Sequence, residues 1–508
     1  MTIFNLLAQS AQRYADGGAV YLGSDQLLTY GALHDRSLRL AGALSVRARP
    51  GDRVMIASKN CPEFVEIMFA IWAAGMVAVP VNAKLHAREM VQVIEDAEPA
   101  LIFTSRSIGA TLAEVVDGAT RLDCVTIGGD AYLAMTQSAP IVPLESDPDD
   151  LAWLFFTSGT TGRSKGAMLS HRNLATMAMS HLADFDAVEG EATLLHAAPM
   201  SHGSGLYLLP YIARGARQVV PRASAYDPAE FVSLCNAHPS VAAFLAPTMV
   251  QRLRQEVEAN GVRPANLSLI VYGGGPMYLD EIKRSLTLFG PIFAQLYGQG
   301  ESPMTITGMR RNDHLTDDDA TLGSVGWARS GVEVAIFDEE DRPVAAGVAG
   351  EIVCRGEIVM RGYWKNPAAT AETLRNGWLH TGDVGFLSEC GRLTLQDRSK
   401  DLVISGGTNI YPREVEEALL SHPAVVEVAV VGQPDPDWGE IVVAFVVTES
   451  GATLDDAQLD AHCLERIARF KRPKIYHYIP ELPKSSYGKV LKRELAEQLR
   501  SLQPVADA

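Results

Sequence analysis

The chain has 508 residues, of which 47% are hydrophobic and 21% are charged. This length is several times the ~100–200 residues of a typical domain, and the composition is that of a folded globular protein, so a small single module and a largely disordered chain are excluded. The formal charge of −17 at pH 7 disfavours nucleic acids and anionic membrane surfaces as partners.

The cysteines favour a reducing location. The six are far apart and form no CxxC pair, a usage typical of a cytoplasmic protein rather than of a disulfide framework. The N-terminus shows no basic segment followed by a long apolar stretch, so we expect no secretory signal. The longest apolar run, residues 67–81, falls short of the ~20 residues that span a bilayer. We interpret it as a buried helix leading into a buried strand, and expect no integral membrane segment.

Strand-like and amphipathic stretches alternate from residue 53 onward. They predict a strand over 53–57, a helix over 62–74, a strand over 77–81, a helix over 87–97 and a strand over 100–104. Because parallel strands need crossover connections, this order predicts an α/β fold with a parallel sheet and helices on its faces. The alternation returns with strands predicted over 240–245, 267–272 and 292–296. Ligands bind where loops leave the carboxyl ends of such strands.

The pattern changes twice toward the C-terminus. Past residue 320 it becomes β-rich, with short strands predicted over 332–337, 351–355 and 392–395. Beyond residue 400 the predicted elements are strands over 402–405, 425–431, 441–447 and 474–478 and helices over 412–420 and 454–468. We therefore predict a large N-terminal domain over residues 1–399, made of stacked parallel-rich sheets with helices plus a β-rich subdomain. Residues 400–508 are predicted to form a small α+β domain.

A Gly-, Ser- and Thr-rich decapeptide, residues 157–166, directly follows an apolar strand predicted over 151–156. It contains three glycines, five hydroxyl side chains and one lysine. Backbone N–H groups and hydroxyls of such a loop can surround phosphate oxygens. The spacing is not that of a Walker A loop, because Ser164 stands where the second glycine belongs. For the decapeptide alone, a flexible surface loop is the alternative.

Further motifs follow in chain order. They are YGGGP at 272–276, YGQGE at 297–301, TGDVG at 381–385, DRSKD at 397–401, SGGTNIYP at 405–412 and PKSSYGK at 483–489. Together with the decapeptide they resemble the core motifs of the adenylate-forming superfamily of acyl-CoA synthetases, luciferases and peptide-synthetase adenylation domains. The resemblance spans nearly the whole chain. It implies a mobile C-terminal domain, and it implies ATP and CoA as cosubstrates with Mg²⁺ as cofactor.

The implied chemistry has two half-reactions. A carboxylate attacks the α-phosphorus of ATP to give acyl-AMP and pyrophosphate, and a thiol then displaces AMP. By resemblance, the ATP-binding residues are Thr157, Ser158, Gly159, Thr160, Thr161, Gly162 and Lys165 at the β- and γ-phosphates, Gly273, Gly274, Gly275 and Tyr297 at the base, and Asp383 and Arg398 at the ribose. Phosphoryl chemistry needs positioning and charge neutralisation, which these residue types supply.

The resemblance also implies catalytic roles. Lys489 would bridge the carboxylate and the α-phosphate, Glu301 would hold Mg²⁺, and His202 would lie beside the acyl carboxylate. Each has a plainer alternative: a solvated lysine, a carboxylate at a helix start, and a hydrogen-bonded core histidine. Lys400 takes the hinge position, and Gly406 and Gly407 line the expected CoA channel.

The acyl pocket is expected to involve His202, Tyr207, Gly274 and Gly300. Superfamily members usually have Thr where Gly300 stands, so we expect one phosphate contact fewer and a larger pocket. Residues 203–211 contain no carboxylate that could pair with an α-ammonium group, which disfavours amino acids. The substrate is predicted to be an apolar monocarboxylic acid, either a fatty acid or an aryl acid.

Two alternatives to a carboxylate–CoA ligase stay open. One is an acyl-AMP ligase that loads a separate carrier protein, and the other is a non-catalytic nucleotide-binding sensor. A basic cluster could meet the CoA phosphates or could simply be a solvated face; its members are Arg466, Arg469, Lys471, Arg472 and Lys474. The expected partners are small molecules, and a homodimer is left open.

Overall fold

The computed structural model describes residues 2–115, 123–157, 164–223, 225–398, 401–405, 408–449, 454–484 and 490–502, with the backbone alone for residues 397, 398, 409 and 500–502. The chain has the mixed α/β fold expected from the sequence, built on several separate sheets. Within the described ranges, no helix is both long enough and apolar enough to cross a membrane.

The first part of the chain builds a mainly parallel sheet of six strands and supplies its first two strands to a second sheet. Its elements are α1 (Phe4–Arg13), β1 (Gly18–Leu22), β2 (Asp25–Thr29), α2 (Tyr30–Ser45), β3 (Arg53–Ser58), α3 (Glu63–Ala73), β4 (Val77–Asn82), α4 (Ala87–Ala97), β5 (Leu101–Thr104), α5 (Arg106–Val115), β6 (Cys124–Thr126), α6 (Asp130–Met135), β7 (Leu151–Thr157), β8 (Lys165–Ser170) and α7 (His171–Asp184). The strand order is β6-β5-β3-β4-β7-β8, with only β8 antiparallel to its neighbour. The predicted alternation over 53–104 is confirmed. Every residue of β4 is buried, as the apolar run predicted, because helices cover both faces of the sheet.

The middle of the chain builds a second, larger sheet. Its elements are β9 (Thr193–Leu195), α8 (Gly203–Ala213), β10 (Arg217–Val220), α9 (Pro228–Ala237), β11 (Val241–Leu245), α10 (Pro247–Asn260), β12 (Leu267–Tyr272), α11 (Leu279–Phe289), β13 (Phe293–Tyr297), β14 (Thr307–Met309), a 3₁₀ turn (Arg311–His314), α12 (Asp319–Leu322) and β15 (Trp327–Ala328). The order is β15-β14-β13-β12-β11-β9-β10-β1-β2, with β13 to β1 parallel and antiparallel strands at both edges. The predicted strands β11, β12 and β13 are confirmed.

A smaller antiparallel sheet forms the β-rich part. Its elements are β16 (Glu333–Phe337), β17 (Gly350–Arg355), α13 (Pro367–Thr373), β18 (Leu374–Arg375), β19 (Trp378–Leu387) and β20 (Leu393–Arg398). The order is β16-β17-β19-β18, and β20 also pairs with β19. This sheet packs on the first one, since Ile352 and Leu379 lie in the same buried cluster as Trp153.

The C-terminal region has its own sheet. Its elements are β21 (Val403–Ser405), β22 (Thr408–Ile410), α14 (Pro412–Leu420), β23 (Val425–Asp435), β24 (Gly439–Thr448), α15 (Asp456–Leu464), β25 (Ile475–Tyr478) and α16 (Lys492–Leu502). Helices α14 and α15 cover one face of the sheet, and α16, which we did not predict, covers the other. The helix predicted over 454–468 is shorter in the structure, Asp456–Leu464; the Asp455 side chain caps its start, and Cys463 is the last residue that it buries. A domain boundary at Lys400 stays a prediction, and that residue lies outside the described ranges.

Three histidines lie deep in the core of the N-terminal region. His171, His181 and His196 are at most 1% exposed. His196 bonds to the side chains of Ser204 and Gln218, whereas neither ring nitrogen of His181 has a partner in the described part of the chain. Burial lowers the pKa of His171 and His196 to about 4 and that of His181 to about 3. All three are therefore neutral in the folded protein at pH 7.

The free energy of unfolding is expected to fall as the pH drops from about 6.5 toward 4. The unfolded state binds protons on these histidines below their ordinary pKa of 6.5, and the folded state does not. Since one pKa unit is worth about 1.4 kcal/mol and the unfolded histidine is already half protonated at pH 6.5, His181→Leu should reduce the loss between pH 6.5 and pH 4.5 by about 2 kcal/mol. Urea unfolding across this pH range measures the effect, and an unchanged pH slope in the variant would contradict it.

Candidate active site

The phosphate-loop motif sits between two paired strands. Thr157 ends β7 and Lys165 begins β8, and the two residues are register partners. The structure therefore places both described ends of the motif side by side, at the carboxyl end of a parallel strand. The other predicted phosphate ligands, Ser158, Gly159, Thr160, Thr161 and Gly162, lie outside the described residues.

Glu301 lies against the start of this motif. Its carboxylate atom Oε1 accepts hydrogen bonds from Thr157 Oγ1 at 3.2 Å and from the Tyr363 hydroxyl at 2.8 Å. The other oxygen, Oε2, receives no hydrogen bond from any residue whose side chain the structure describes. Thr157 and Glu301 are 144 positions apart in the chain, so the fold has brought a predicted phosphate ligand and the predicted metal ligand into contact.

Tyr363 is a site residue that the sequence analysis missed. Its hydroxyl bonds Glu301, and the Lys165 Nζ lies 5.1 Å from the centre of its ring. Burial and the neighbouring carboxylate raise the pKa of Tyr363 well above its usual value, so it remains a donor. The only signal was an aromatic residue after Gly362, which a core position would show equally. Tyr363 thus links the predicted metal ligand to the predicted phosphate-binding lysine.

Asp383 and Tyr297 form a second cluster. Oδ2 of Asp383, on β19, accepts from the Tyr297 hydroxyl at 2.8 Å and from Gln299 Nε2 at 2.8 Å. Arg398 is the register partner of Asp383 on β20, which brings the two predicted ribose residues together in the backbone. Gln299 was missed, although it alternates with Tyr297 and Glu301 in one motif, the spacing that puts side chains on one side of an extended chain.

The three glycines after β12 differ in their surroundings: Gly273 is buried, and Gly274 and Gly275 are exposed. A Cβ atom on Gly273 would lie 2.6 Å from the carbonyl oxygen of Leu296, so only glycine allows this approach to β13. Gly274 has φ +77°, and the atom nearest to its missing side chain is Phe244 Cζ at 3.9 Å. A Cβ atom on Gly275 would lie 3.8 Å from Pro247 Cδ, an ordinary contact distance. The peptide backbone at Gly274 is therefore exposed.

Phe244 joins these glycines to α8. Its ring stacks on that of Tyr207 with a centroid separation of 5.7 Å, and it also fills the space beside Gly203. Tyr207 is buried, and its ring also meets the ring of His181 edge-on, with centroids 4.9 Å apart. Two of the predicted acyl-pocket residues, Tyr207 and Gly274, thus share one aromatic neighbour. Phe244 itself was not predicted, because a phenylalanine in a buried strand is ordinary core.

His202 connects the acyl and phosphate candidates. It precedes α8, its Nδ1 lies 2.9 Å from Ser201 Oγ, and its ring packs edge-on against Phe155 at 4.9 Å. Burial lowers the pKa of His202 to about 4, so the ring is neutral at pH 7. Phe155 reaches on to Gly300 and stands two residues before Thr157. His202, Gly300 and Thr157 therefore surround one phenylalanine.

The space beside Gly300 is filled. A Cβ atom there would lie 2.5 Å from Thr157 Cγ2 and 2.6 Å from Phe155 Cδ1. The absent side chain therefore does not open additional volume at this point, in contrast to the larger pocket expected from the sequence. Phe155 and Gly300 act as a size-matched pair.

Gly300→Thr is expected to destabilise the protein by about 1–3 kcal/mol, because the new side chain overpacks this contact. Adding Phe155→Leu should recover part of that loss, giving a coupling energy on the order of 1 kcal/mol between the two positions. Urea unfolding of the two single variants and the double variant measures it. Strictly additive losses would show that Phe155 does not fill the place of a side chain at residue 300.

The remaining predicted residues belong to the C-terminal region. Lys400, Gly406, Gly407 and Lys489 all lie outside the described residues. Residues 484 and 490, on either side of the part of the motif that the structure does not describe, pair in an antiparallel bridge, and Leu491 N donates to Pro483 O at 2.8 Å. The described residues before and after residues 485–489 are therefore paired with each other.

Comparisons with known proteins cover both regions. A family model described as AMP-binding enzyme matches residues 7–364, and one described as AMP-binding enzyme C-terminal domain matches residues 414–489. The chain is 36% identical to a feruloyl-CoA synthase from Amycolatopsis sp over 471 residues, covering 92% of this chain and 93% of that protein. It is 32% identical over 514 residues to a medium/long-chain-fatty-acid–CoA ligase from Mycobacterium tuberculosis, covering 96% and 88%.

Two further comparisons extend this range. A fatty acid–[acyl-carrier-protein] ligase from Streptomyces coeruleorubidus is 33% identical over 478 residues, covering 93% of this chain and 91% of that protein. The solved structure of ATP-bound MatB from Rhodopseudomonas palustris is similar with a TM-score of 0.88 and 31% identity, covering 99% of this chain and 100% of that one. The likeness is therefore continuous through the N-terminal and C-terminal parts.

Proposed function

The chain belongs to the AMP-binding enzyme family, and we propose that it is an ATP-dependent carboxylate–CoA ligase acting on an apolar monocarboxylic acid. The acid is activated as acyl-AMP with release of pyrophosphate, and the acyl group then passes to CoA with release of AMP. The observation that carries the proposal is the contact between Thr157 and Glu301, which joins a phosphate-binding motif to an acidic residue at the carboxyl ends of two parallel strands.

ATP is proposed to bind across the two clusters. The triphosphate lies along the 157–165 motif, near Lys165, and the ribose lies at Asp383. Tyr297 and Gln299 orient the Asp383 carboxylate by two hydrogen bonds to Oδ2. Its orientation is thereby fixed before a ribose hydroxyl arrives. Such preorganisation suits a reaction that depends mainly on positioning and charge neutralisation.

A Mg²⁺ ion is part of the proposal, and the residues present fit one. No group of three or more His, Cys, Asp and Glu side chains that could hold a metal occurs in the described part of the chain. Mg²⁺ commonly takes one or two carboxylates together with phosphate oxygens and water, so Glu301 alone suffices as protein ligand. Thr157 and Tyr363 hold Oε1 and thereby aim the carboxylate. When bound, Mg²⁺ neutralises the phosphate charge.

The acid is proposed to lie between His202 and the Tyr207–Phe244 pair. The pocket candidates are apolar or small, and the buried Asp184 nearby is bonded to Arg329 and Ser330 and so is not available for an ammonium group. A fatty acid or an aryl acid suits this surface, and both kinds of substrate occur in the names of relatives. The neutral His202 beside Phe155 adds no charge that would repel or trap the carboxylate.

CoA is proposed to meet the C-terminal region at its exposed aromatic residues. Trp438 and Phe470 are about half exposed, and a lysine ammonium lies 6.0 Å and 5.8 Å from their ring centres, from Lys474 and Lys471 respectively. An aromatic face next to a cation suits a nucleotide with phosphates. Lys471 is already paired with Glu414, whereas Lys474 has no carboxylate partner among the described residues.

The test follows pyrophosphate, AMP and acyl-CoA over a panel of fatty and aromatic acids. ATP turnover without thioester from any acid would contradict the proposal. Replacing CoA by a phosphopantetheinyl carrier protein tests the second candidate, which the Streptomyces relative favours. ATP binding without acid-dependent pyrophosphate exchange would favour a sensor. We also propose a cytoplasmic location, which the six unpaired cysteines support.

A further inference from the structure

A buried carboxylate lies where the N-terminal and C-terminal regions meet. Glu416, on α14, is 3% exposed. Its Oε2 accepts from the Tyr278 hydroxyl at 3.0 Å, and its Oε1 accepts from Lys492 Nζ at 2.8 Å and from Val430 N at 2.9 Å. A buried carboxylate is costly unless it is fully bonded, so each of these donors stabilises it.

The donors come from different parts of the molecule. Tyr278 lies in the N-terminal region, immediately before α11 and three residues after Gly275. Lys492 begins α16, three residues after Lys489. The Glu416 carboxylate therefore lies between two segments, one that follows the glycine motif and one that follows the PKSSYGK motif. Tyr278 is the donor from the N-terminal region. The other two donors, Val430 N and Lys492 Nζ, belong to the C-terminal region together with Glu416 and move with it.

A second contact from the same helix supports this arrangement. Arg413, at the start of α14, donates to the carbonyl oxygens of Leu395 and Gly323, both at 3.4 Å. Leu395 belongs to β20, the strand that also carries Arg398. Helix α14 thus touches the N-terminal region at two separate places, and the Tyr278–Glu416 bond is the shorter and more buried of them.

We propose that Tyr278 and Glu416 form a latch that holds the C-terminal region in the orientation used for acyl-adenylate formation. The inference rests on the proposed function. In this orientation the latch keeps the start of α16 beside the chain that carries Gly273, Gly274 and Gly275. For thioester formation the C-terminal region turns, the Tyr278–Glu416 bond breaks, and water replaces each partner. Tyr278 is accordingly a positioning residue that contacts no substrate.

The test removes one oxygen atom. Tyr278→Phe should slow acyl-adenylate formation about tenfold, because a hydrogen bond to a charged group is lost. Thioester formation from supplied acyl-AMP should stay unchanged or become faster. The matched control is Tyr226→Phe, which removes a hydroxyl that donates to Met249 O at 3.2 Å within the N-terminal region. The control should leave both half-reactions at wild-type rates.

A substrate-free measurement separates the contact from the chemistry. Amide hydrogen exchange of residues 412–420 should be faster in Tyr278→Phe than in Tyr226→Phe. Equal loss in both half-reactions, an unchanged adenylation rate, or unchanged exchange would overturn the latch. If the wild-type protein shows no acid-dependent pyrophosphate exchange, the proposed function is wrong, and the latch, which rests on it, is wrong as well. A wild-type protein that is active, with Tyr278→Phe indistinguishable from the control, overturns the latch alone.

Discussion

Lys489→Ala is expected to lower the rate of acyl-adenylate formation by about 10²–10³-fold, the effect of deleting one group that stabilises charge in a transition state. A lysine between the carboxylate and the α-phosphate neutralises both anions as they approach, and alanine leaves their repulsion uncompensated. Thioester formation from supplied acyl-AMP should stay near the wild-type rate, since that step has no phosphate attack to assist.

The measurement is single-turnover formation of acyl-AMP, compared with acyl-CoA formation from synthetic acyl-AMP. Lys484→Ala is the matched control, because Lys484 lies in the same motif but pairs with Glu427 on β23. Lys484→Ala should change the rates of the two half-reactions to the same extent. If Lys489→Ala also slows both steps equally, the lysine stabilises the region and does not assist adenylation.

The strands that could be predicted from the sequence are those whose sheets are covered on both faces. Strands such as β4 and β12 are predominantly apolar in sequence, because helices cover both sides of their sheets. Helix α4 was predicted with its observed bounds, since its apolar residues repeat at helical spacing; the cap by His86 and the left-handed Glu98 at its ends are seen only in the structure. Helix α16 was not predicted, although Leu495, Leu499 and Leu502 recur at helical spacing in the sequence.

The residues of the candidate site also divide into those that could be identified from the sequence and those that could not. Motif residues such as Thr157, Glu301 and Asp383 carry chemistry in their residue type and could be selected from the sequence. Tyr363 and Phe244 could not, because an aromatic residue beside a site and one in a core have the same sequence pattern. Spacing also cannot show which motifs meet, since the contact between Thr157 and Glu301 depends on the order of strands in two different sheets.

Glu301→Gln is expected to reduce the rate of pyrophosphate release by about a hundredfold and to raise the Mg²⁺ concentration for half-maximal rate at least tenfold. The amide keeps an oxygen that can accept from Thr157 and Tyr363, so the local hydrogen bonds survive. It loses the negative charge that a hard divalent cation requires. Initial rates measured against Mg²⁺ concentration at fixed ATP give both quantities.

Tyr363→Phe separates charge from orientation at the same carboxylate. It removes the 2.8 Å bond to Glu301 Oε1 and leaves the charge in place. The rate should fall about threefold to tenfold, as for one hydrogen bond to a charged group, with the Mg²⁺ dependence nearly unchanged. If Glu301→Gln instead behaves like Tyr363→Phe, with no shift in Mg²⁺ dependence, then Glu301 serves to order Thr157 at the start of the phosphate-binding motif, and the metal is held by the nucleotide alone.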